Sequence, residues 1–258
     1  EILLMKLCLN SMKLVAGKKA LCNNLSITIN SGECWGLLGK NGVGKTSLLK
    51  CIAGILKPEE GSISLDAIPI QDYDRKNLAL RVGMLFQEGL SSLPATVFET
   101  VLLGRYPHGK YVIKDSLSDI QTTQNILKEV KLNELRDREL NTLSGGELQK
   151  VGIALLLAQD PDLLLLDEPS NHLDIAFAAQ LKTILKERVS KRSASLLLAT
   201  HDINYVNEFC DRLILMLGDG NLIFGKTQEI LTEKNLSKAF SCKISKFSNG
   251  ISTIFHSV

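Results

Sequence analysis

No CxxC pair occurs in these 258 residues, although six cysteines are present: Cys8, Cys22, Cys34, Cys51, Cys210 and Cys242. Cysteines without ligand-like spacing, in a chain this long, argue against zinc and a disulfide framework, and for free thiols in a reducing compartment. No apolar run approaches the length of a membrane span, and stretches such as LLLLD at Leu163–Asp167 are strand-sized. An excess of one charge is missing too. Lys and Arg number 30 against 28 Asp and Glu, and the net +2 gives no electrostatic case for nucleic acid or an anionic membrane surface. The first residue is Glu1 rather than Met, and no cleavable signal sequence is evident. Internal repeats and low-complexity segments are also absent. What is there is 45% hydrophobic residues, suited to a buried core in one large domain or two small ones.

Residues 21–29, LCNNLSITI, alternate apolar and polar side chains as a half-buried strand does. A turn at 30–33, a short apolar strand at 34–39 and a helix from Lys45 to a cap at Gly54 follow. A turn at 58–61 leads into SISLD, and 81–86 is again strand-like. From Gln87 the texture becomes more polar, with Leu117, Ile120, Leu127 and Val130 at roughly helical spacing. Residues 87–142 therefore read as a small helical subdomain inserted in a core formed by 1–86 and 143–258. Beyond it, helix 146–159, strand Leu163–Asp167, helix 175–190, strand Ser195–Thr200, helix Ile203–Phe209 and strand 212–217 alternate. That order predicts an α/β fold with a parallel sheet covered on both faces.

Residues 39–46, GKNGVGKT, fit GxxxxGK[ST] between a predicted strand and a predicted helix, the context this phosphate-binding motif requires. Gly39, Asn41, Gly42 and Gly44 lie in a loop whose backbone N–H groups converge on phosphate oxygens, and the helix start adds partial positive charge. Lys45 reaches the β- and γ-phosphates, Thr46 offers its hydroxyl to Mg²⁺, and Ser47 bonds a phosphate oxygen. The alternative is a glycine-rich turn with an ordinary surface lysine.

Four leucines and two carboxylates, LLLLDE, end at Asp167 and Glu168. Alone they describe a buried strand with a polar end. Beside a phosphate loop they meet it at the carboxyl edge of a parallel sheet, where ligands bind. Asp167 then holds Mg²⁺ through water, and Glu168 polarises a water for in-line attack on the γ-phosphate. Gln87 is a candidate sensor of that water and of Mg²⁺, or else a solvated loop glutamine. His201, just past strand Ser195–Thr200, is placed to bond the γ-phosphate and orient the water; the alternative is an ordinary exposed or satisfied histidine.

LSGGELQ raises a separate question. Ser144 and Glu147 have capping-box spacing, which leaves Gly145 and Gly146 unexplained. Exposed helix N–H groups flanked by glycine form an anion site, yet the nucleotide already has one. An economical solution is that SGG serves a nucleotide bound mainly by a second copy, in a two-fold pair with two composite sites.

GKNGVGKT, Gln87, LSGGE, LLLLDE, SNHLD at 170–174 and His201, in this order and at these spacings, resemble the ATP-binding-cassette (ABC) ATPases across essentially the whole chain. The resemblance implies a P-loop NTPase, RecA-like core with an antiparallel β segment and an inserted helical subdomain. It also implies ATP and Mg²⁺ as ligands and a homodimer that closes on ATP. By position Ser144 and Gly146 match residues touching the partner's γ-phosphate, and Asp174 matches a loop that communicates across the dimer; SNHLD alone is also a plain helix start. Two departures stand out. The aromatic that usually stacks on adenine is replaced by Val15 or Ala16, and Lys40 stands where Pro is frequent.

One cassette without a membrane span resembles a stand-alone ATPase subunit on the inner face of the cell membrane, docked on a separate permease. LLGRYPHG at 102–109 and the ending from Thr227 are similar to those of iron-siderophore, haem and vitamin B12 importers, which also work with a periplasmic or surface substrate-binding protein. RYPHG alternatively reads as a Pro-Gly surface turn with an aromatic anchor. An ATPase driving export or lipid extraction, and a soluble ATPase of iron–sulfur assembly, keep the same ATP motifs.

Overall fold

The computed structural model describes residues 5–86, 90–109, 116–248 and 253–257. Two compact units are formed, Glu1–Tyr73 with Arg188–Val258, and Asp74–Glu187.

The first unit begins with a hairpin of β1 (Lys6–Ala16) and β2 (Lys19–Asn30), paired from Lys6↔Asn30 to Ala16↔Lys19. Alternation buries Leu25, Ile27 and Ile29 on one face of β2, as its sequence predicts. On β1 the buried set changes phase from Leu7 and Leu9 to Met12 and Leu14. A bulge at Ser11, with φ +46°, absorbs the extra residue, and the Ser26 hydroxyl accepts the Ser11 N–H at 2.8 Å. The next strand, β3 (Cys34–Leu38), is buried throughout and leads through the glycine loop into α1 (Lys45–Ile52). The strands β4 (Glu60–Leu65) and β5 (Ile68–Pro69) then complete an antiparallel sheet of order β2-β1-β4-β5.

The second unit opens with α2 (Arg75–Arg81), seven residues long and capped by the Asp74 carboxylate, which accepts the Lys76 and Asn77 N–H groups. It continues with β6 (Val82–Leu85), α3 (Val97–Leu103), α4 (Leu117–Glu129), α5 (Gly145–Gln159), β7 (Leu163–Asp167) and α6 (Ile175–Arg192), the last belonging to this unit up to Glu187. Here β6 and β7 run parallel, from Val82↔Leu163 to Leu85↔Leu166. Capping boxes, Thr96 with Glu99 and Ser144 with Glu147, start α3 and α5. The helix expected from the spacing of Leu117, Ile120 and Leu127 is present as α4. Ile126 and Leu127 are buried, with Val130 just beyond, whereas Leu117 is the first helical residue and 86% exposed.

The chain returns to the first unit with β8 (Ser195–Thr200), α7 (Ile203–Phe209), β9 (Arg212–Met216), β10 (Leu222–Lys226), α8 (Thr227–Ile230), α9 (Glu233–Phe240), β11 (Ile244–Ser248) and β12 (Thr253–Ser257). In this unit the strand order is β10-β9-β3-β8, with β3 parallel to both β8 and β9. Every residue of β8 is buried, and each fully buried leucine among Leu196–Leu198 contributes about 2 kcal/mol from removal of apolar surface. Parallel pairing of Leu38 with Thr200 ends β3 and β8 at one edge. The glycine loop and His201 leave from that edge. The terminal hairpin is tied to α7: Asn204 donates to the Phe255 carbonyl at 3.1 Å and accepts the Phe255 N–H at 2.8 Å.

Candidate functional site

In the first unit the loop between β3 and α1 has the backbone of a phosphate cradle. Gly42 and Gly44 have φ of +71° and +116°, conformations that L side chains rarely adopt. Gly44 is the N-cap of α1, and no side chain caps the helix there. Lys45 is 6% exposed and folds back over the loop, its Nζ donating to the Gly39 carbonyl at 2.9 Å and the Lys40 carbonyl at 3.3 Å. A helix start without a side-chain cap, flanked by glycine and carrying a buried ammonium, fits a polyphosphate. Thr46 and Ser47 occupy its first turn. His201 is exposed, and its turn is pinned by the next residue. The Asp202 N–H donates to the Thr200 hydroxyl at 3.1 Å, and the Asp202 carboxylate accepts the Asn204 and Tyr205 N–H groups at 2.9 and 3.0 Å. Asp202 was legible as a helix cap before INYV but is not among the residues singled out from the sequence.

In the second unit Asp167 ends β7 and Glu168 follows it, 1% and 4% exposed. Glu168 has φ +47°, a left-handed conformation, so the chain turns sharply at this carboxylate. Gln87 follows β6 in sequence and lies outside the described residues. Among the described residues no group of three His, Cys, Asp or Glu stands together to hold a metal.

The capping box at the start of α5 is present, with Glu147 Oε2 accepting the Ser144 N–H at 2.8 Å and the Ser144 hydroxyl at 2.7 Å. These bonds hold the Glu147 carboxyl below the usual carboxylate range. The two glycines differ. A Cβ on Gly146 would lie 2.7 Å from the His172 carbonyl oxygen, whereas one on Gly145 meets nothing within 4 Å. Gly146 therefore has a reason inside its own chain, close approach of the 168–174 loop, which no local sequence pattern announces. Only at Gly145 does the helix start stay open.

Two further contacts fasten that loop to α5. Gln149 donates to the Pro169 carbonyl at 3.2 Å. Lys150 Nζ lies 3.5 Å from Asp174 Oδ2 and 4.5 Å from the centroid of the Phe177 ring. Asp174 in turn accepts the Phe177 N–H at 2.7 Å, the main reason its carboxyl is held below the ordinary range. No local signal announces Gln149, Lys150 or His172, because each acts through a contact some twenty residues away in sequence. Gly146→Ala is expected to destabilise the protein by about 1–3 kcal/mol, since the obstructing atom is backbone. Gly145→Ala should be neutral or gain up to about 1 kcal/mol from helix propensity. Denaturant unfolding of both variants checks the contrast, and equal stabilities would contradict the close approach.

A family model described as ABC transporter matches residues 22–171. An uncharacterised ABC transporter ATP-binding protein of Methanocaldococcus jannaschii is 37% identical over 237 residues, 92% of each chain. The petrobactin import ATP-binding protein FpuD of Bacillus anthracis is 32% identical over 231 residues, 89% of this chain and 85% of that one. Among solved structures, a transporter assigned to the metal-chelate type, in an inward-facing conformation, has a TM-score of 0.82 at 28% identity and covers 98% of this chain and 97% of its own. A dimeric ATP-binding cassette in a post-hydrolysis state, bound to ADP and Pi, has a TM-score of 0.75 at 28% identity over 86% of this chain and 98% of its own. This chain belongs to the ABC transporter family; it is a nucleotide-binding ATPase with the family's cassette fold.

Proposed function

We propose that this ATPase powers a separate membrane permease that imports an iron chelate or a haem- or cobalamin-like compound. The supporting observation is the corner after α3. Arg105 is pinned by Asp119 at 2.9 Å and by the Ala158 carbonyl at 2.8 Å, His108 by the Gln159 carbonyl at 2.8 Å, and Pro107 is buried. Tyr106 is not the anchor that RYPHG suggested. It is 60% exposed, beside Leu103 at 58%. A rigid turn that holds two large apolar side chains in solvent suits a protein partner. In FpuD the similarity is to a petrobactin import protein, which supports the chelate class. Among the described residues no helix is long and apolar enough to cross a membrane, so the pore belongs to another chain in this reading. Attachment is to the cytoplasmic face, and a substrate-binding protein on the far side delivers the cargo.

In this reading residues 87–142 are the inserted helical subdomain that carries the corner, and 1–86 with 143–258 form the nucleotide-binding core. The loop from Gly39 to Ser47, with Asn41 and Lys45, holds the triphosphate. Thr46 and Asp167 hold Mg²⁺, which neutralises charge on the phosphates when bound. Glu168 takes the proton of the attacking water as its oxygen bonds the γ-phosphorus and the bond to ADP breaks. His201 and Gln87 orient that water. Ser144, Gly145 and Gly146 complete the site of a second copy, and Asp174, tied to α5 by Lys150, links one site to the other. Closure of the pair moves the corner against the permease.

The test is co-isolation from native membranes. The wild-type chain should bring down a multi-span permease. Leu103→Ser combined with Tyr106→Ser should lose it while the isolated protein keeps its ATPase rate. Equal capture by the double variant, or a chain found with no membrane protein at all, would contradict the proposal.

A further inference from the structure

The outer edge of β12 is covered by side chains of α7 rather than by another strand. Among the described residues β12 pairs only with β11, in a register that sets Lys246 opposite Phe255 and Ser248 opposite Thr253. Alternate residues of an antiparallel strand turn their main-chain groups to the same edge, and those of Thr253 and Phe255 are turned to α7. There the Asn204 amide takes both groups of Phe255, while Asn207, one helical turn along, donates to the Thr253 carbonyl at 2.9 Å. An asparagine amide carries a donor and an acceptor side by side, so it does the work of one residue of a neighbouring strand. Edge protection alone would explain that much. Asn204 does more. Its own N–H donates to the Asp202 carboxylate at 2.9 Å, and the Asp202 N–H donates to the Thr200 hydroxyl at 3.1 Å. His201 lies between those two fixed residues. A continuous path of hydrogen bonds thus runs from buried Phe255 through Asn204 and Asp202 to the turn that carries the histidine.

Resting on the role given to His201 above, we propose that Asn204 is a positioning residue for hydrolysis. It fixes the His201 turn against the terminal hairpin, so that β12 helps to place the histidine. Removing the amide leaves the Phe255 N–H and carbonyl without their partner and frees the start of α7 to shift. A displacement of about 1 Å at a group that orients the attacking water costs up to about 10²-fold in rate. The phosphate loop is reached by no bond of this path, so nucleotide affinity is left alone.

Single-turnover hydrolysis and calorimetric ATP binding by the full chain test this as a double-mutant cycle. His201→Ala should slow hydrolysis by about 10²-fold, the effect of losing one donor to developing charge. Asn204→Ala should slow it by about tenfold and leave the ATP dissociation constant within about twofold. The double variant should be no slower than His201→Ala alone, because misplacement costs nothing once the histidine is gone. Asn207→Ala loses a bond to the same hairpin but not the link to Asp202, and should keep the wild-type rate within about twofold. Asn204→Asp keeps the size and the acceptor but loses the donor, and serves the same cycle where the alanine variant does not fold. Wild-type hydrolysis by the Asn204 variants, or losses that multiply in the double variant, would overturn the inference. Equal slowing in Asn207→Ala would also overturn it, reducing the clamp to edge protection. The parent reading fails separately: wild-type hydrolysis by His201→Ala removes the histidine from its role, and the inference with it.

Discussion

Glu168→Gln should still bind ATP but turn it over about 10³-fold more slowly, and should accumulate as an ATP-bound pair of chains. The magnitude follows from removing the proposed general base, a role that contributes about 10²- to 10⁴-fold. The substitution is nearly isosteric, so the sharp turn at φ +47° and the 4% exposure of this position can be kept. It removes a proton acceptor and little else. In the proposed mechanism the adjacent Asp167 would still hold Mg²⁺, so affinity should change little. Single-turnover hydrolysis and equilibrium nucleotide binding, measured on one preparation, separate the two effects. A variant that hydrolyses ATP at the wild-type rate would remove Glu168 from its role.

Ser144→Arg should abolish ATP-driven pairing while a single chain binds ATP as before. Ser144 is an N-cap, so any replacement also loses its bond to the Glu147 N–H, at a cost of about 1 kcal/mol. Ser144→Ala carries the same loss without the bulk and charge. The comparison of the two therefore isolates the surface from the helix. The alanine variant should pair with reduced affinity, whereas arginine, set beside Gly145 where the helix start is open, should block the approach of a second nucleotide. Pairing by Ser144→Arg as strong as by Ser144→Ala would contradict the composite site.

Where hydrophobic pattern and turn chemistry coincide, the sequence was easily legible. The fully buried strands β3, β7 and β8 read as short apolar runs between turns, and the motifs at their ends followed from them. β1 was not recognised, because the bulge at Ser11 breaks its alternation midway. α2 escaped for a different reason: seven residues are too few to establish a helical period, and Asp74 was its one local signal. On α4 the helical spacing was legible, but the exposure of Leu117 was not, since periodicity does not say where a neighbour ends. In the site, residue types at fixed spacing were legible because phosphate chemistry demands them. Contacts of long sequence separation were not. Gly146 against His172, Lys150 against Asp174 and Asn204 against Phe255 each need the tertiary structure to become visible.

The central claim is that two copies of this chain, each with half of two sites, must pair on ATP. Light scattering of Glu168→Gln with and without ATP and Mg²⁺ measures it directly. The account predicts the mass of one chain without nucleotide and of two with it, and one chain in both conditions when Ser144→Arg is added. A single-chain mass at saturating ATP, in a wild-type protein that hydrolyses it at full rate, would contradict it.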